Sequence, residues 1–333
     1  MKKRNLLLAL ASVALLLTGC ENNKTQYFGM GSVAYYNEAP RDYHIETTID
    51  YVAVEMQGAV IKKLRLDTVQ LYARVIRPGL LTLGGTPHEI EGDIKSKWEL
   101  LDDYDMRRAS PIGKEWYEQA EAFEEWVVGK KLADVKAGVK NKVMTDGVTV
   151  GVTIIVDKWV AALEEAVANR VKIKGEVAGL GVGGFNSVSK DRTTGALDGQ
   201  DWYIAGAAFD ADKKVLAARL DTYQLRYVND EGRAVMKLGL VQVDYTAKRV
   251  KGKQELKDAY NMKPASPIGK EWYEQAASLV EYLKGKTVAE ALGTGAKLTN
   301  GADVGCTMNI GGYRTVLLEA EYTAFNSRVP AAE

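Results

Sequence analysis

The eleven residues 110–120 read SPIGKEWYEQA, and the same eleven recur unchanged at 266–276. Identity of that length does not arise by chance, so the chain is one unit written twice. Other blocks keep nearly the same offset. Residues 66–71 (LDTVQL) match 220–225 (LDTYQL), and Gly29 and Gly31 match Gly181 and Gly183. Glu99, Leu100 and Tyr104 match Glu255, Leu256 and Tyr260, and 146–153 (DGVTVGVT) matches 300–307 (NGADVGCT). The offset drifts between 152 and 156 residues, which a few small insertions explain. The period is far longer than the roughly 20–50 residues of a solenoid repeat. Each copy, about 150 residues, is large enough for a core of its own. The spacing therefore predicts two tandem homologous domains, 27–175 and 176–333, joined by the short junction 171–175.

Both copies read alike. Alternating apolar stretches come first, at 48–55, 60–66 and 69–75, and again at 202–209, 215–220 and 223–228. Their period of two predicts strands, with 66–68 and 220–222 as bends between them. Stretches with helical spacing follow, at 97–104 and 115–128, with Gly129 as a stop, and at 253–260 and 271–283, with Gly285. Each copy closes on an amphipathic stretch, 154–170 and 308–325. Strands followed by helices predict an α+β fold.

The first nineteen residues read as an address. Lys2, Lys3 and Arg4 precede an apolar run, 6–17, that is too short to span a bilayer comfortably. The run ends Leu17-Thr18-Gly19-Cys20, which resembles the bacterial lipoprotein signal, in which cleavage precedes a lipidated cysteine. On this reading 1–19 is the signal peptide. Cys20 carries the lipid, 20–26 is a short polar tether, and the lipid holds the folded part at the cell membrane, on the extracellular face. Removal of the leader takes the 44 basic residues to 41 against 44 acidic ones, so no surplus of positive charge offers a footprint for nucleic acid.

The chemistry available is narrow. There are two histidines, His44 and His88, and two cysteines, Cys20 and Cys306. Neither histidine has a counterpart in the second copy, which argues against a shared Ser-His-Asp or metal mechanism. No independent catalytic residue is identified. The most unusual shared feature is the octad at 146–153 and 300–307. Each opens on a turn signal, Asp146-Gly147 or Asn300-Gly301, and carries a second glycine, Gly151 or Gly305. Each ends in a threonine, Thr153 or Thr307, at the predicted start of the closing helix. A threonine there is either an N-cap or an attachment point for a phosphate, favoured by free backbone N–H groups.

The octads, each in the last third of its copy and behind a lipoprotein-like leader, resemble the flavinylation motif of FMN-binding domains. That pattern is roughly Asp, two or three variable residues, then Ser/Thr-Gly-Ala-Thr. The whole layout is similar to the PplA-type flavinylated lipoproteins of extracellular electron transfer. The resemblance implies two FMN groups, joined through phosphoester bonds to Thr153 and Thr307 by an ApbE-type flavin transferase using FAD. Asp146, Gly147, Gly151, Gly301 and Gly305 are the matching motif positions. It also implies an electron carrier that takes electrons from a membrane quinol-linked donor and passes them to an acceptor such as ferric iron or free flavin. The motif departs from the family at Val150 and Val304, where Ser is common, at Val152 and Cys306, where Ala is common, and at Asn300 in place of Asp.

Weaker shared features have two readings each. Trp116-Tyr117 and Trp272-Tyr273 either stack on a flavin or pack in the core. Gly29, Gly31, Gly181 and Gly183 either let backbone approach a cofactor or mark bulges and turns. Cys306, replaced by Val152 in the first copy, reads as a small filler. The alternative function is a non-redox lipoprotein that binds a small ligand or a cell-wall partner.

Overall fold

The computed structural model describes residues 24–39, 44–77, 80–85, 89–90, 94–190, 197–231 and 233–328. The expected leader, Cys20, the start of the tether and His88 lie outside them. The fold is α+β. In the first repeat the strands Gln26–Ala39, His44–Gln57, Val60–Arg77 and Leu80–Gly85 form an antiparallel meander. In the second, Gly179–Lys190, Leu197–Phe209, Val215–Asp230 and Arg233–Met236 repeat it. Gly58, at a φ of 57°, makes the tight turn between His44–Gln57 and Val60–Arg77, a conformation that favours glycine.

Three cores hold the molecule. One outer core packs Tyr27, Val33, Val52, Val54 and Leu66 of the first sheet against the helices Trp116–Val127 and Asp157–Ala168. A second packs Ala205, Ala207, Phe209 and Leu220 against Trp272–Leu283 and Gly311–Phe325. The third is shared. Phe28, Met30, Ile49, Tyr51 and Ala53 of the first sheet face Val182, Trp202, Ile204, Tyr223 and Leu225 of the second. The layers are therefore helix, sheet, sheet, helix. The expectation that each copy has its own core describes the helical sides and misses the middle, where the repeats bury their inner faces together.

The repeats are also stitched at their edges. The second-repeat strand Arg249–Val250 pairs with the first strand of the first repeat, Ala34 opposite Val250. Near the chain's end Arg328 donates to both carboxylate oxygens of Glu124 (2.6 and 2.7 Å) and to the Leu66 carbonyl (3.0 Å), and it lies 3.6 Å over the Trp98 ring. Among the described residues no helix is long and apolar enough to cross a membrane.

Three local expectations are corrected. No bend occurs at 66–68 or 220–222, because single strands run through both. Asp67 instead turns its buried carboxylate onto the Thr68 and Trp98 N–H groups (2.7 and 3.2 Å), fastening the short helix Lys97–Leu100 to the sheet. Asp221 does the same with Thr222 and Gln254 (2.7 and 3.0 Å). The paired glycines are strand residues that admit a helix. A Cβ on Gly29 or Gly31 would run into the carbonyl oxygens of Ala166 or Ala162, and one on Gly181 or Gly183 into those of Ala320 or Val316. Finally, the closing helices start later than expected, at Asp157 and Gly311.

Candidate functional site

The duplicated undecapeptide is a clamp on the octad threonines. Its Ser110 and Lys114 form a turn closed by Gly113 (φ 63°), and its second half opens the helix Trp116–Val127. Glu115 turns back onto the N–H groups of Met106 and Arg107 (2.9 and 2.8 Å). Trp116 is buried edge-on between Trp98 and Trp159 (6.2 and 5.6 Å). That leaves no face for a flavin, so of its two readings the core one holds. Tyr117 is half-buried, and its hydroxyl reaches Asp102 (3.4 Å).

Gln119 is the centre of the clamp. It is fully buried, and both ends of its amide are used. Its Nε2 donates to the Ser110 hydroxyl (3.2 Å) and the Lys114 carbonyl (3.3 Å). Its Oε1 accepts the Thr153 N–H (2.8 Å), the Thr153 hydroxyl (3.4 Å) and the Ile154 N–H (3.3 Å). The second repeat duplicates this. Gln275 donates to Ser266 Oγ (2.9 Å) and the Lys270 carbonyl (3.3 Å). It accepts the Thr307 N–H (2.8 Å), the Thr307 hydroxyl (3.4 Å) and the Met308 N–H (3.1 Å). The threonines are therefore not N-caps. Their N–H groups are bound by glutamine, and the N-caps of the closing helices are Val156 and Ile310.

The octads form one turn of helix, Gly147–Val150 and Gly301–Val304, rather than a plain turn. Asp146 and Asn300 are the N-caps, exposed and without a side-chain capping bond. Gly147 accepts the Val152 N–H at 2.7 Å, and a Cβ there would strike the Val152 carbonyl. Gly301 and Cys306 repeat the contact. Gly151 and Gly305 end the turn in the left-handed region, at φ 89° and 83°. The space a side chain would fill holds an ammonium instead. Lys114 Nζ lies 2.7 Å from the Cβ position of Gly151, and Lys270 Nζ lies 2.5 Å from that of Gly305. A depression of about 340 Å³ opens beside the first octad, lined by 143–149, Val152 and Thr153. That is within the range of small-ligand sites. Val148 (74% exposed) and Ile155 (61%) present apolar side chains to solvent on either side of Thr153 in sequence.

The motif residues named from the sequence thus share one loop in each repeat. Thr153 and Thr307 are half-buried beside Gly151 and Gly305, with Gly147 and Gly301 closing the turn beneath. The two loops lie in opposite helical layers, with both sheets between them. Cys306 is buried, which pushes its thiol up to about 11. His44 packs edge-on against Tyr72 (5.5 Å). Among the described residues no group of three or more His, Cys, Asp or Glu side chains is gathered that could hold a metal ion.

Sequence reasoning missed Gln119, Lys114 and their partners Gln275 and Lys270. The available signal was the undecapeptide itself, the one block that the two copies share without change. It also missed a buried cation behind each clamp. Lys97 lies over Tyr104 (4.4 Å) and Trp116 (5.7 Å), and Lys253 over Tyr260 (4.6 Å) and Trp272 (5.6 Å). Burial brings both ammonium groups down to about 8. Burial likewise raises Asp67 and Asp221 to about 7.

No family model matches the chain, and no solved structure matches it. Over 123 residues the chain is 53% identical to a chlorophenol reductase of Desulfitobacterium hafniense. The matched stretch covers 34% of this chain and 37% of that protein, so the likeness extends over about a third of each.

Proposed function

We propose that the protein is a lipid-anchored electron carrier on the extracellular face of the membrane, bearing two FMN groups esterified to Thr153 and Thr307. The observation that carries this reading is the duplicated clamp. In both repeats a buried glutamine fixes one threonine hydroxyl beside a glycine whose missing side chain makes room for an ammonium. A phosphoryl group on that hydroxyl suits the donor set, because neither Lys114 nor Lys270 has a carboxylate within ion-pair distance among the described residues.

When bound, the flavin supplies the one- and two-electron chemistry that this chain's own side chains lack. Gln119 and Gln275 hold the acceptor hydroxyls in place. Gly147 and Gly301 keep the loop tight enough to present them. Val148 gives the first site an apolar edge. Installation is the work of an ApbE-type transferase, electrons come from a membrane quinol-linked donor, and the lipid on Cys20 keeps the carrier beside that donor. Covalent attachment suits a carrier outside the cell, where a free cofactor is lost by dilution.

The partial likeness to a protein named for a reduction supports a redox role over a purely ligand-binding one. It also adds chlorinated phenols to ferric iron and free flavin as acceptors to assay. The test is direct. Protein made with a flavin transferase is expected to be yellow, with FMN on the peptides holding Thr153 and Thr307. The double variant Thr153→Ala, Thr307→Ala should be colourless and folded. Wild-type protein from its native envelope that carries no flavin on either peptide would falsify this reading.

A further inference from the structure

We infer that Lys114 and Lys270 are the resident counter-cations of the phosphoryl groups on Thr153 and Thr307, and that each speeds the loading of its own threonine. This rests on the reading of those threonines as flavin-bearing. Three observations carry it, each made twice in the chain.

The first is the linkage through glutamine. One amide binds the Lys114 carbonyl with its Nε2 and the Thr153 N–H and hydroxyl with its Oε1. Lysine and threonine are thus held at the two ends of a single buried side chain, and Gln275 does the same for Lys270 and Thr307. The second is the gap at glycine. Gly151 and Gly305 lack the side chain that would exclude the ammonium, so the cation lies against the backbone two residues before the hydroxyl. The Cα atoms of glycine and threonine are then at most about 7 Å apart, so the cation and the hydroxyl belong to one short stretch of loop. The third is the unspent charge. Both lysines are half-buried, and among the described residues neither forms an ion pair. Lys270 donates to the Ser278 hydroxyl (3.2 Å), whereas Ala122 borders the corresponding gap in the first repeat.

The chemistry gives such a cation a task. In transfer from FAD, Thr Oγ1 forms a bond to the flavin-side phosphorus and loses its proton. The bond from that phosphorus to the bridging oxygen breaks, and AMP leaves. No electron is gained or lost. The product is a phosphodiester with one negative charge fixed on the loop. An ammonium already held there by the fold neutralises that charge as it becomes covalently bound.

The test uses the full chain with a flavin transferase and FAD, and reads the loaded fraction at both threonines over time by peptide mass. Lys114→Met should slow loading at Thr153 about tenfold, the scale of one charge-assisted hydrogen bond, and leave Thr307 at the wild-type rate. Lys270→Met should give the mirror result, and Lys114→Arg should restore Thr153. In fully loaded protein, the phosphorus resonance of the Thr153 diester should move in Lys114→Met and stay in Lys270→Met. The unaffected site in each molecule reports that the fold is intact. Wild-type protein bare at both sites removes the underlying reading and this inference with it. Wild-type protein that loads, with Lys114→Met loading Thr153 at the same rate and with an unmoved resonance, overturns the inference and leaves the reading standing. Slowing at both sites, or no rescue by arginine, also overturns it.

Discussion

Replacing Gln119 by leucine keeps most of the side-chain volume and removes five hydrogen bonds. The Thr153 and Ile154 N–H groups then face an apolar side chain at a partly buried position. Each unpaired donor costs about 1–3 kcal/mol. The Ser110 hydroxyl can turn to solvent and adds little. A loss of about 3 kcal/mol is the balanced expectation, allowing for partial rescue by water. For a folded body of roughly 300 residues the unfolding entropy is about 0.6 kcal/mol per degree, so the midpoint should fall by about 5 °C. Scanning calorimetry of Gln119→Leu, Gln275→Leu and the double variant is the assay. Because the repeats share a core, each single variant should shift one common transition, and the double variant should shift it about twice as far. A midpoint unchanged in either single variant would refute the clamp. Two separate transitions, only one of them moving, would refute the energetic unity of the halves.

Other outcomes follow from the same structure. Gly183→Ala forces a Cβ into the Val316 carbonyl and should destabilise the chain by about 1–3 kcal/mol or more, seen as a lower urea midpoint; an unchanged midpoint would show that the helix does not lie so close. Asp67 and Asp221 are raised to about 7 from an ordinary 3.8 by burial, so between those values the folded chain holds protons that the unfolded chain releases. Their contribution to stability is therefore full below about pH 4 and declines as pH rises to about 7. The stability difference between wild type and Asp67→Asn, Asp221→Asn should track that window, and a difference flat with pH would sink the assignment. Cys306, buried and raised to about 11, should resist aromatic disulfide reagents until the chain unfolds, and fast labelling of native protein would contradict its burial.

The duplication was legible in the sequence, and with it the succession of strands then helices, but the opening strands Gln26–Ala39 and Gly179–Lys190 were missed and one long strand in each copy was read as two. What the undecapeptide does was not legible. Gln119 lies on an ordinary helix face, and its partner is 34 residues further on, so only packing reveals that the amide reaches the loop. The closing helix starts at Asp157, three residues later than the apolar spacing suggested. The glycines at 29 and 31 were read either as backbone approaching a cofactor or as bulges and turns; they are strand residues against which a helix packs. The shared core had a signal that went unused. From Ile49 to Met56 every residue is buried, and a run buried on both faces marks a strand inside two layers. In the sequence Asp50 and Glu55 interrupt that run with charge, so it reads as a half-buried strand.

The buried seam between the repeats has a further bearing on how such a chain works. A polypeptide with only one copy would expose a face rich in Trp, Tyr and Ile and would have to find a twin to cover it. Fusion makes that encounter intramolecular, so dilution cannot part the halves. One translation event then always delivers both threonine loops, in equal number and at a separation that no collision needs to re-establish.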